Sequence, residues 1–236
     1  MADDNNKRIN TILSELQKKT YKKGTIEQKL SDFYKLALNV DARNKAGISP
    51  VKPLLDEMEA AKTKADLQKI QLKYAAQGYG VSFGGGFGAD EKNVKMNIFN
   101  LGQGGLTLGQ KDYYVNNDTA TVAIREAFKK YVQKMFQLYG FSAEEAALKE
   151  QAIFQHETML ALISKSMTEL RDPQANYNKM TLKEFQEKYP NLNFEAMCNA
   201  EGIKSEYIQE MIVGQPDFLA GLDKITAAEN ANTLRA

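Results

Sequence analysis

A mainly α fold, a long-helix, bundle-like lobe with one inserted antiparallel β-hairpin, is predicted by three features of the sequence. Apolar residues recur at helical spacing along most of the chain. Several of these runs begin at a Ser or Thr followed three residues later by Glu or Gln, the capping-box pattern that opens helices. Between about 79 and 101 the spacing drops to two on both sides of a polar turn, as a hairpin requires.

Ile9, Ile12, Leu13 and Leu16 line one face of a first helix. Thr25 with Gln28 opens a second, with Leu30, Phe33, Tyr34, Ala37 and Leu38 inward. Pro50 and Pro53 suit the start of a third, which carries Leu54, Leu55 and Met58. A fourth runs from Lys64 to Ala76 with Leu67, Ile70 and Tyr74 inward. The hairpin follows. Val81, Phe83 and Phe87 alternate around Gly84, Gly85 and Gly86, and Asp90-Glu91-Lys92-Asn93 forms the turn. Val94, Met96, Ile98 and Asn100 then alternate with Lys95, Asn97 and Phe99. The glycines mark a weak strand, a bulge or a close backbone approach.

Gly102–Asn117 reads as a loop. A long helix then spans Thr119 to Tyr139, with Phe128, Val132, Met135 and Phe136 inward. The next starts at the capping box Ser142/Glu145, carries Ile153, Leu160, Ile163 and Met167, and runs to Leu170. Arg171-Asp172-Pro173 ends it, because a residue before proline disfavours the helical region. Thr181/Glu184 caps a short helix that stops before Pro190. Shorter helices are expected over Asn193–Ala200, Ser205–Ile212 and Pro216–Glu229. Without repeats or low-complexity segments, residues 1–236 read as a single helical lobe.

Composition narrows the function. The chain has 236 residues, 43% hydrophobic and 26% charged, which is ordinary for a globular protein and long enough to bury a sizeable core. A net charge of +1 lacks the uncompensated basic face that nucleic-acid binding needs, and Lys18, Lys19, Lys22 and Lys23 read as a solvated loop. The single cysteine, Cys198, forms no intrachain disulfide. No apolar run approaches the ~20 residues of a membrane-spanning helix, so no membrane segment is expected. The opening residues do not read as a signal peptide, which fits a cytoplasmic protein, a mature form or a piece of something longer.

Candidate chemistry is sparse. His156-Glu157-Thr158-Met159-Leu160 begins like the zinc-peptidase pattern His-Glu-x-x-His, in which two histidines one helical turn apart hold the metal and the glutamate is general base. Here Leu160 stands at the second position, and His156 is the sole histidine, so two imidazole ligands cannot come from this chain. His156 therefore reads as a helix-surface or boundary residue. Cys198 lies in a plain helical context and reads as a small buried thiol, not a partner of His156 in nucleophilic catalysis. No Gly-x-Ser-x-Gly elbow is present. Gly84-Gly85-Gly86-Phe87-Gly88 lacks the Lys-Ser/Thr ending of a phosphate loop and is followed by a strand. Carboxylate pairs such as Glu144/Glu145 read as solvated helix faces. No catalytic, cofactor-binding or metal-binding residue is assigned.

Several motifs, in order, do carry a resemblance. Asp32-Phe33-Tyr34, Ala46-Gly47 and Pro53-Leu54-Leu55 come first. Gly105-Leu106-Thr107-Leu108 with Lys111-Asp112-Tyr113-Tyr114 follows. Ile163-Ser164-Lys165-Ser166 then leads through Glu169-Leu170-Arg171-Asp172-Pro173 to Tyr177-Asn178-Lys179-Met180-Thr181-Leu182. With the polar turn at Asp90–Asn93, this series covers nearly the whole chain and resembles the N-terminal, helical, non-catalytic part of the neprilysin and endothelin-converting-enzyme family of zinc metallopeptidases.

The resemblance implies a lobe that faces a thermolysin-like catalytic lobe across a central cavity, with the zinc ligands further downstream. No cofactor is then expected in this chain, and zinc is expected in the parent. The implied partners are the catalytic lobe and the parent's peptide substrates, with an extracytoplasmic (periplasmic or secreted) setting. Arg8 does not match the substrate-contacting arginines found near the family's opening segment. Arg171 and Asp172 could pair or cap helices, and Tyr177 and Asn178 could bond across their loop. The single cysteine favours a bacterial-type member over disulfide-rich animal ones. The alternative is a helical peptide- or protein-binding module without catalysis.

Overall fold

The computed structural model describes residues 2–79 and 82–229. It divides into two compact units, residues 1–53 and 54–236.

In the first unit, helix α1 (Ala2–Gln17) packs against α2 (Ile26–Leu38); of the face its spacing predicts, Leu13 and Leu16 are half-buried while Ile9 and Ile12 are exposed. Thr25 caps α2, its Oγ1 accepting from Gln28 N at 3.3 Å. The expected reciprocal half is shifted by one residue: Gln28 Oε1 accepts from Gly24 N at 2.9 Å. Of the residues expected inward on α2, Tyr34 is half-buried, but Leu30, Phe33 and Leu38 are exposed. Helix α3 (Val40–Ala46) was not foreseen. Asn39 ends α2 and starts α3, its Oδ1 accepting from Ala42 N at 2.9 Å. One residue thus does the work of a linker.

Helix α4 (Lys52–Ala60) leads into the second unit, where its Glu57 joins α5 (Lys64–Ala75) through Lys73 Nζ at 2.6 Å and Tyr74 OH at 2.9 Å. The hairpin follows as β1 (Phe83–Asp90) and β2 (Asn93–Gln103), its first strand beginning at Phe83 and not at the expected Tyr79. Val81 lies outside the described residues. The register runs from Phe83↔Gln103 to Ala89↔Asn97, then slips to Asp90↔Asn93, so the irregularity sits beside the turn and not at the glycines. The inward residues differ from the simple alternation: Phe99 and Leu101 enter the core, while Val94 and Met96 are exposed. The hairpin's tip projects beyond the core, so spacing alone does not decide which face is covered.

A short helix α6 (Asp112–Val115) interrupts the next loop. Helix α7 (Thr119–Tyr139) has the predicted bounds. Helix α8 (Ala143–Ile163) starts at the Ser142/Glu145 capping box but ends seven residues before Leu170, and Glu169–Arg171 forms a separate 3-10 turn. Long-range bonds stop it. Gln103 grips the main chain of Lys165, accepting from its N at 2.8 Å and donating to its O at 3.0 Å. Lys111 Nζ donates to Ser164 O at 2.9 Å, which uses a terminal carbonyl of the helix.

Strand β3 (Lys179–Thr181) leads into α9 (Leu182–Lys188) at the Thr181/Glu184 capping box, and α10 (Phe194–Ala200) follows. The helix expected over Ser205–Ile212 is corrected: Ser205–Tyr207 is a single 3-10 turn, and Glu210–Val213 is strand β4. Met211, Ile212 and Val213 are all buried, and a short continuous apolar run does not distinguish strand from helix by its period. Helix α11 (Pro216–Ala228) closes the described chain. The hairpin thus belongs to a four-stranded sheet in the order β1-β2-β4-β3, with β4 parallel to β2 and antiparallel to β3. Phe99, Leu101, Met180, Met211 and Val213 from the sheet meet Leu160, Phe185, Phe194, Phe218 and Leu222 from the helices in one core. The fold remains mainly α.

Candidate functional site

The motifs converge on α8. Glu157 is buried, and its carboxylate accepts from Thr107 Oγ1 at 2.6 Å and from the Tyr114 hydroxyl. Tyr114 OH in turn accepts from Leu108 N at 3.0 Å, and its ring stacks on Phe154 at 5.9 Å. Burial first, then the bond to Glu157, pushes the Tyr114 phenol well above its ordinary pKa, so it stays a donor at neutral pH. Arg125 completes the latch, donating to Tyr114 O at 2.7 Å and Asn117 Oδ1 at 3.0 Å. The Gly105–Tyr114 run is therefore a clasp closed on Glu157. In the His-Glu-x-x-His pattern that glutamate would be a base facing water; here both oxygens are occupied by the clasp.

Helical geometry turns the preceding residue, His156, another way. It is half-buried, and its Nδ1 contacts the Glu229 carboxylate at the end of α11, whose side chain is 7% exposed. Lys64 Nζ, at the start of α5, donates to Thr226 O on the same helix. These groups wall a cavity of about 300 Å³ with Gln68, Gln71 and Asn193 on its polar side and Leu192 and Leu222 on its apolar side. Leu160, where a second histidine would stand, is fully buried in the core. Among the described residues, no group of three or more His, Cys, Asp and Glu side chains gathers as a metal-ligand set. At this position, then, the described side chains do not assemble the three or four N, S or O ligands that a zinc ion takes.

The other singled-out residues lie apart from this cavity. Cys198 is buried beneath the sheet, and burial pushes its thiol up to about 12. Asp172 Oδ1 accepts from Gln174 N at 2.9 Å and Ala175 N at 3.1 Å, which turns the chain after the 3-10 segment. Tyr177 reaches across to the hairpin, its hydroxyl 2.9 Å from Asp90 Oδ1, while Lys92 Nζ sits 4.1 Å over its ring. The Lys92 N–H, foremost, and the Tyr177 hydroxyl hold the Asp90 carboxyl below the usual range. Asn178 Nδ2 donates to Val213 O at 3.0 Å and ties β3 to β4. Sequence reasoning did not find Glu229, Gln103 or the role of Glu157. Their partners lie tens of residues away, and nothing local marks them.

Comparison with known proteins gives the family and the fold. The model of the N-terminal region of peptidase family M13 matches residues 1–236. Neprilysin-3 of Drosophila melanogaster is 25% identical over 217 residues, 86% of this chain and 28% of that protein. The endothelin-converting enzyme homolog of Locusta migratoria is 31% identical over 163 residues, 67% of this chain and 22% of that protein. Among solved structures, the Mycobacterium tuberculosis zinc metalloprotease Zmp1 with an inhibitor superposes with a TM-score of 0.85 at 23% identity, covering 99% of this chain and 35% of Zmp1. PepO from Lactobacillus rhamnosis does so at 0.71 and 18% identity, over 95% of this chain and 35% of PepO. The chain belongs to peptidase family M13 and corresponds to its N-terminal region. It spans about a third or less of these relatives.

Proposed function

We propose that residues 1–236 form the non-catalytic lobe of a zinc-dependent endopeptidase, walling the chamber in which peptides meet a zinc site on the rest of the polypeptide. One observation carries the reading: the family match runs across the whole chain, yet its one histidine sits in a helix with Leu160 one turn on. The described residues support a wall more than a reactive centre. Glu157 is held by the clasp, and Cys198 is buried and protonated.

The lobe restricts which peptides enter and excludes bulk water, while zinc and its ligands come from the catalytic remainder, in an extracytoplasmic setting. The chain by itself binds no zinc tightly and cleaves no peptide. No helix among the described residues is long and apolar enough to cross a membrane. Adding the 236-residue chain in trans to the catalytic remainder, against peptides of graded length, tests the reading. Length discrimination should appear with the chain, seen in KM for long peptides while kcat for short ones is unchanged. Length profiles identical with and without the chain, despite a stable complex, overturn it. Stoichiometric zinc retained by the isolated chain after dialysis also overturns it.

A further inference from the structure

Among the described residues, strand β1 is a free edge. In the order β1-β2-β4-β3 it pairs with β2 alone, and among the described residues no main-chain group of Gly84–Ala89 bonds outside that pair. Alternate N–H and C=O groups therefore point away from the sheet. Natural sheets guard such edges with lysine, proline, short strands or bulges that turn the edge away. Here the strand has eight residues, FGGGFGAD, without lysine or proline, and its one irregularity lies beside the turn.

The glycines leave one face of the edge open. A Cβ at Gly84 or Gly86 would meet nothing within 4 Å. A Cβ at Gly85 would lie 2.7 Å from Phe99 Cε1, so Phe99's ring crosses β1 at the place where a side chain would stand. On that face a cavity of about 370 Å³ opens against Gly84 and Gly85, bounded by Phe99, Phe194, Cys198 and Ala76. Among its lining residues Glu201 alone is charged.

We infer that β1 is a docking edge for an extended peptide, which adds to the sheet as a further strand and sets an apolar side chain in the cavity beside Gly85. A row of outward donors and acceptors at strand spacing is complemented by another extended backbone. The aromatic and sulfur lining selects an apolar residue, and Glu201 at the rim disfavours an acidic one. The inference rests on the access reading only for where the peptide comes from. Strand addition is measurable on the 236-residue chain without any catalytic partner, so either idea can fail without the other.

The test uses capped hexapeptides alternating threonine with phenylalanine or valine, and two N-methylated versions in which opposite sets of alternate amides are blocked. A strand added to one edge directs one set toward β1 and the other toward solvent. One N-methyl series should therefore lose about tenfold or more in affinity and the other less than about twofold, since two or three lost hydrogen bonds at about 1 kcal/mol each suffice. Replacing the phenylalanine by glutamate should also weaken binding. Amide exchange in β1 should slow on peptide addition. No binding at millimolar peptide, equal losses from both N-methyl series, or protection confined to other elements overturns the proposal. So does concentration-dependent pairing of the chain through β1 that peptide does not displace, because the edge would then belong to a second copy.

Discussion

Glu157 and His156 are adjacent on α8, but their environments separate them. Glu157 is buried, and its two side-chain oxygens accept from Thr107 and Tyr114. Glu157→Ala would leave both hydroxyls without their acceptor, at a cost of about 3 kcal/mol. For a chain of this size that lowers Tm by roughly 6–12 °C, which calorimetry can read. His156→Ala should leave the parent's turnover within about a factor of ten, the equivalent of ~1.4 kcal/mol, because the imidazole's partner is the structural Glu229. A thousandfold loss with an unchanged circular dichroism spectrum would make it a catalytic group. Cys198 gives a pH signature. Its folded pKa is raised from 9.0 to about 12 by burial, so above pH 9 the unfolded chain loses this proton while the folded chain keeps it. The unfolded state then binds fewer protons, and stability falls as pH rises from about 9 toward 12. Tyr139, raised to about 12 first by its bond to Asp56, and Tyr114 add to the same alkaline loss. Cys198→Ala should flatten the fall of Tm between pH 8.5 and 10, where the tyrosines contribute little; an unchanged slope would rule out the buried thiol as its source.

At the scale of elements, the long helices follow from local chemistry. Ser142 accepts from Glu145 N at 3.2 Å, and Glu145 Oε2 accepts from Ser142 N at 2.9 Å. Ser142→Ala should cost about 1 kcal/mol, measurable by denaturant titration. The hairpin gives a sharper contrast between neighbouring glycines. At Gly85 a Cβ would sit 2.2 Å from Asn100 O as well as against Phe99, so Gly85→Ala should destabilise by about 2 kcal/mol through overpacking. At Gly84 there is room, and alanine there should be neutral or stabilising by up to about 1 kcal/mol, because glycine loses more conformational freedom in a strand. Equal effects at the two positions would contradict the described approach of Phe99 to β1.

Across the whole molecule, the core lies in one unit. Every residue of the main hydrophobic cluster, from Phe83 to Leu222, falls within residues 54–236, as do all four described strands. A chain beginning at Leu54 should therefore fold cooperatively, with a Tm within a few degrees of that of the 236-residue chain. Its loss of cooperativity would mean that the first 53 residues are needed for the second unit's core.

The sequence by itself determined the helix starts, the bounds of α7, the hairpin and its turn, and the family. Each rests on interactions between residues a few positions apart, or on an ordered set of motifs. Thr181 and Ser142 announce their helices because a cap bonds within its own first turn. The tertiary structure decided what needed partners from afar. It ended α8 at Ile163 through Gln103 and Lys111, and drew Glu210–Val213 between β2 and β3 as a strand. It also made Glu157 the anchor of a clasp 43 and 50 residues upstream. Counting histidines showed that this chain offers His156 no second imidazole, but its contact with Glu229 was not legible, because hydrogen bonds between distant segments leave no period in the sequence. The free edge of β1 likewise depends on which strand does not pair with it, a property of the assembled sheet that no residue encodes alone.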